Sequence, residues 1–126
     1  MANLRTAVGE VKTNHAADVK YAQYLLADWR LRIGGVPLVI DGICGPLTRA
    51  AIKEFQRTAT KVVDGRMDVD GPSIRTLEYM HVMNTLSGIR PIDYLAAFSQ
   101  MRLPLYNVEL GPAAARYLTA LRARFG

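Results

Sequence analysis

The side chains of this chain that could do chemistry are few, and their spacing does not suit it. Cys44, His15 and His81 are its only thiol and imidazole groups. No His-x-x-x-His, His-Glu-x-x-His or Cys-x-x-Cys spacing joins them, so a zinc site has no local nucleus. A nucleophile needs a base. Cys44 could draw on His15 or His81 only if the fold unites them; otherwise it is a small packed thiol. Glycoside cleavage needs two convergent carboxylates, one of them in an apolar pocket. Glu54 and Glu78 read instead as solitary acids on helix surfaces. The expectation is therefore a protein with no catalytic residues, no metal and no cofactor.

The run from Asp41 to Gln56 reads differently, as a device for recognition. Asp41-Gly42 makes a tight turn, because Gly accepts positive φ and Asp bonds the backbone two residues on. Pro46 suits the first turn of a helix, where its missing N–H would be unpaired anyway. Leu47, Ala51 and Phe55, with Ile52 beside them, recur at helical spacing and predict one apolar stripe for the core. Thr48 is placed to cap or brace the helix start. Gln56, at the end of that face, needs partners if buried, and so either ties down a loop or faces a groove.

The elements that must hold this run are helical. Val19, Ala22, Leu26, Trp29 and Ile33 predict a first helix from about Asp18, stopped at Gly34-Gly35. Val36-Pro37-Leu38-Val39-Ile40 is apolar but short and holds a proline, which favours a packed extended loop over a strand. A second helix is predicted over Pro46 to Ala59. A third begins at Pro72-Ser73, with Ile74, Leu77, Met80 and Met83 inward, and ends near Ser87-Gly88. Pro91 opens a fourth piece, and Leu103 to Leu110 reads as irregular. Gly111-Pro112 starts a last helix whose stripe is Ala114, Tyr117, Leu118, Leu121 and Phe125. Arg116, Arg122 and Arg124 read as its solvated face. Residues 1–14 show little periodicity and read as a partly ordered lead-in. Gly45-Pro46-Leu47-Thr48-Arg49 echoes Gly71-Pro72-Ser73-Ile74-Arg75, each after an Asp-Gly turn, as in a pseudo-symmetric pair of helices.

Over residues 8–83 the chain resembles the bacterial peptidoglycan-binding domain. The central pattern Asp-Gly-x-x-Gly-x-x-Thr-x-x-Ala-[Val/Ile]-x-x-Phe-Gln is matched by Asp41, Gly42, Gly45, Thr48, Ala51, Ile52, Phe55 and Gln56. Val19, Gln23 and Leu26 match the first element, with Ala22 in place of the usual Leu. Asp64-Gly65 and Gly71 match the last, with Ile74 where Thr is usual, a change expected to remove one helix cap. The resemblance implies an all-α, three-helix fold over residues 1–88. Residues 89–126 fall outside it; their helical spacing and their Leu, Tyr, Met and Ala content predict a helical extension packed on it or used to bind a protein partner. The resemblance also implies non-catalytic binding of peptidoglycan, through its glycan or its stem peptide, that targets an associated activity to the wall. Such a polymer would call for aromatic faces for sugars, and for Arg or Lys for stem-peptide carboxylates. The candidates are Tyr24, Arg30, Asp41, Arg49, Gln56 and Arg66. Trp29 is a further aromatic, though also a strong core candidate, and Arg49 and Arg66 could equally be solvated.

Composition agrees with a folded domain whose modest basic excess is read first as a plain solvated surface and second as a face for an anionic partner. Of 126 residues half are hydrophobic and 21% charged, with a formal net charge of +5. The basic residues form no block, and about a dozen residues, Thr60 to Gly71, separate helices two and three. That is too long for a helix-turn-helix, so nucleic acid is not expected. No stretch is apolar enough to span a bilayer, and residues 1–6 do not look like a signal peptide. A wall-binding role would then need non-classical export, while cytoplasmic residence remains the alternative. The same fold could also serve as a protein–protein adaptor in a secretion or phage-like system.

Overall fold

The computed structural model describes residues 2–88 and 109–126, and over these the fold is all-α with one minimal strand pair. Helices α1 (Ala16–Arg32), α2 (Pro46–Ala59), α3 (Pro72–Ser87) and α4 (Pro112–Ala123) follow in order. Strands β1 (Val8–Gly9) and β2 (Arg66–Met67) pair antiparallel, Val8 opposite Met67 and Gly9 opposite Arg66. The helical piece expected from Pro91, and most of the irregular stretch from Leu103, lie outside the described residues.

Three of the helices begin alike, with Gly at the N-cap and Pro at the first helical position: Gly45-Pro46, Gly71-Pro72 and Gly111-Pro112. This is why α2, α3 and α4 begin where the sequence places them. α1 ends as Gly34 turns left-handed (φ +84°) and Gly35 N–H donates to the Arg30 carbonyl at 2.7 Å. Ile33, expected on the buried face, is instead 43% exposed, because it already lies past the last helical turn.

α1 is the central helix. It packs on α3, α2 and α4, and so buries Tyr21, Gln23 and Leu25 as well as the expected Val19, Ala22, Leu26 and Trp29. Phe55 and Ile52 of α2, and Ile74, Leu77 and Met80 of α3, close the core against it. Trp29 is buried and meets the Phe55 ring edge-on at 5.1 Å, a core role.

The lead-in is more ordered than its sequence suggests, since Leu4 and Val8 are buried. Gly9 has φ +110°, and a Cβ there would lie 2.1 Å from the Gly65 carbonyl oxygen. Only glycine lets β1 approach the second loop this closely.

α4 joins the core through Leu118, Leu121 and one buried ion pair. Arg122, expected in the solvated face, is 4% exposed and donates from Nε and Nη2 to Asp18 Oδ1 at 3.1 and 2.9 Å. Glu78, expected at a helix surface, is 2% exposed and accepts from the Tyr21 hydroxyl and from Asn3. Burial pushes the Glu78 carboxyl above its usual range, and these donors oppose the shift.

Candidate functional site

Two glutamines build the two Asp-Gly loops in the same way. Gln23 of α1 reaches the first loop. The two hydrogens of its Nε2 are shared among Asp41 Oδ1 (3.0 Å), the Ile43 carbonyl (3.1 Å) and Thr48 Oγ1 (3.0 Å), and its Oε1 accepts from Asp41 N–H (3.0 Å) and Gly42 N–H (2.9 Å). Gln56 of α2 reaches the second. Its Nε2 donates to Asp64 Oδ1 (2.9 Å), the Arg66 carbonyl (2.8 Å) and Ser73 Oγ (3.0 Å), and its Oε1 accepts from Gly65 N–H at 2.9 Å.

Each loop also closes on its own aspartate. Ile43 N–H donates to Asp41 Oδ1 and Arg66 N–H to Asp64 Oδ1, both at 2.9 Å. These backbone donors, helped by the glutamine amides, hold both carboxyls below the usual range. The internal echo is therefore physical: one buried amide per loop, fixing a turn to the start of the next helix.

Ser73 does in the second loop what Thr48 does in the first, one position earlier in its helix. The Ile74-for-Thr departure thus loses no brace, because the hydroxyl has moved by one residue and still meets the glutamine. Ser73→Ala is expected to lower stability by about 1 kcal/mol, the worth of one buried hydrogen bond, measurable by urea denaturation.

The first loop frames a groove of about 510 Å³ between the end of α1, residues 36–45 and the start of α2. Its apolar walls include Val36, Leu38, Val39, Ile43 and Leu47. Leu47, expected in the core, is 77% exposed, and Val36, Val39 and Ile43 are similarly open. The loop passes beside Leu47 rather than over it, so residue 47 at the helix start has no cover. The run 36–40, expected to be packed, is mostly exposed, with Leu38 half-buried. Exposed aliphatics gathered on one concave surface are a common mark of a recognition site.

The charges at this groove are Arg30 and Asp41. Arg30 Nη2 pairs with Glu54 Oε2 at 2.9 Å, which fixes the guanidinium at the rim. Asp41 spends Oδ1 on its turn and on Gln23, and is exposed. The groove thus offers aliphatic contact with one cation and one anion.

The structure divides the residues singled out from sequence. Arg30 and Asp41 line the groove. Tyr24 lies elsewhere, against Phe125 (5.7 Å, tilted) and His81 (5.8 Å, edge-on) beside α4. Arg49 donates to the Cys44 carbonyl and pairs with Glu10 at 3.3 Å, and it is not among the groove-lining residues. Arg66 pairs with Asp68 at 2.9 Å on the second loop. Gln56 is 1% exposed with both ends of its amide engaged inside, so of its two readings the loop tie is the one that holds.

Sequence reasoning missed the aliphatic wall. Its signal was the apolar run 36–40, which has no polar partner element and too few residues to be one. Among the described residues no group of three or more His, Cys, Asp or Glu is arranged to hold a metal ion. No helix among them is long and apolar enough to cross a membrane.

Residues 15–70 match the model of the family described as "Putative peptidoglycan binding domain". The match spans α1, both Asp-Gly loops and α2, which is the part of the chain that builds the groove. No curated protein and no solved structure matches the chain.

Proposed function

Because residues 15–70 carry a domain of this family, we propose that the chain binds bacterial peptidoglycan without chemical change, through the groove of the first loop. In this reading it holds an associated activity at the wall by raising its local concentration, and it acts outside the cytoplasm. The observation that carries the reading is the set of exposed aliphatics around a loop that Gln23 holds rigid. A rigid apolar site loses little entropy on binding.

The lining also favours one part of the polymer. A sugar ring packs its C–H face on a flat aromatic ring, and no aromatic residue lines this groove among the described residues. Aliphatic walls with one Arg and one Asp suit a short peptide of small apolar residues bearing both charges. The stem peptide is therefore the expected ligand.

Co-sedimentation with insoluble sacculi tests this. The protein is expected to pellet with intact sacculi at low salt and to lose most of that binding once an amidase has stripped the stem peptides. Unchanged binding to stripped sacculi would assign the glycan instead, and no pelleting at all would overturn the reading.

An adaptor role is the second reading, and the same wall of Val36, Val39, Ile43 and Leu47 favours it, since protein interfaces also use such patches. It predicts no sacculus binding and a groove protected by a bound protein segment.

A further inference from the structure

A second cavity, of about 300 Å³, opens between the N-terminal segment, α3 and the start of α4. It lies outside the region that matches the family and shares no residue with the groove. Arg75, Glu78 and Glu109 line it, with Asn3, Leu110 and Leu118.

The charges here are unusually disposed. Arg75 and Glu78 stand three positions apart on α3, where opposite charges ordinarily meet. They do not pair. Glu78 turns inward, and its Oε2 accepts from Tyr21 and from Asn3 backbone and side chain. Its Oε1 receives no hydrogen bond among the described residues, although the side chain is almost wholly buried. Nor, among those residues, do the Arg75 guanidinium and the Glu109 carboxylate meet a partner. One cation, one buried carboxyl with a free oxygen and one further carboxylate thus share a cavity the size of a dipeptide.

We propose that this cavity binds a zwitterion of dipeptide size, one small molecule with a free ammonium at one end and a free carboxylate at the other. The carboxylate takes the Arg75 fork, where planar donors match its two oxygens. The ammonium takes Glu78 Oε1 and Glu109, with small side chains resting on Leu110 and Leu118. A cation alone would leave Arg75 unpaired, and an anion alone would meet two carboxylates. A zwitterion satisfies all three.

The test is calorimetric titration of the full chain with alanyl-alanine, with its N-acetyl form and with its C-terminal amide. The unblocked dipeptide is expected to bind at least roughly tenfold more tightly than either blocked form. Arg75→Gln and Glu109→Gln should each weaken it by about the same factor at unchanged melting temperature. Leu47→Asp should leave it intact, which separates this site from the groove. Equal binding of blocked and unblocked forms, indifference to both substitutions, or no saturable binding of the dipeptide would each overturn the proposal. Wall fragments that carry both a free amino group and a free carboxylate serve as a second titrant. Tighter binding of these than of the dipeptide supports the site with the wall as its source, and equal binding supports it with free amino acids or peptides as the source.

Discussion

Gln23→Leu is expected to lower stability by about 3 kcal/mol and to abolish sacculus binding. The substitution keeps most of the side-chain volume of a residue that is 1% exposed, so packing changes little. What is lost is the hydrogen bonding. Five bonds end on this amide, and they join α1 to the first loop and to the start of α2. Each bond is worth about 1 kcal/mol net, and a buried donor left without a partner costs more. The outer parts of the loop can turn to water, which keeps the total well below the sum. Gln56→Leu should cost a similar amount, because it braces the second loop through four bonds. The two variants separate stability from function. Both should melt earlier, yet at a temperature where both remain folded only Gln23→Leu should fail to pellet with sacculi.

Arg122→Ala is expected to cost about 3–5 kcal/mol, the range for removing one partner of a buried ion pair. It strands Asp18, which is 2% exposed and also accepts from Arg5 N–H and from Thr6 N–H and Oγ1. It also frees Nη1's acceptor, the Gly126 carbonyl. Replacing the pair together, as Asp18→Leu with Arg122→Met, should cost much less than the single change, since two desolvated charges leave at once. The pH profile gives an independent reading. Burial works to raise the Asp18 carboxyl, but bonds from Thr6, Arg5 and Arg122 outweigh it and hold the group below its usual range. A lowered folded value means that this stability is fully present above about pH 4, the unfolded carboxylate's range. It is lost as pH falls through the lower folded value. Acid denaturation followed by circular dichroism should therefore be steeper in the parent than in Arg122→Ala.

Local signals were legible in the sequence, and long-range pairings were not. The bounds of α2 follow from Gly45-Pro46 and the spacing of Ala51, Ile52 and Phe55, all of which lie in the single stretch 45–55. Leu47 fits the same spacing yet ends up in solvent, because periodicity states which face a residue occupies and not whether another element covers it. Asp18 and Arg122 lie 104 positions apart, so nothing local marks either as buried. Glu78 likewise owes its burial to Asn3 and Tyr21, which reach it from other segments. The Ser73 brace was hidden by a one-residue shift in an otherwise aligned repeat. Of the candidate site, Asp41 and Arg30 were readable as charges near the loop. The aliphatic wall depends on where residues 36–40 run, and local residue types do not fix that path.

In the proposed reading the exposed aliphatic groove of the first loop binds peptidoglycan. Sacculus pelleting of the parent beside Leu47→Asp tests it most directly. Leu47 is exposed, so the change should leave the melting temperature nearly unaltered. Loss of a buried leucine contact on binding is worth about 1.5–3 kcal/mol, or roughly a ten- to hundredfold weaker association. The parent is expected to pellet and Leu47→Asp to stay in the supernatant. Equal pelleting of the two proteins would contradict it.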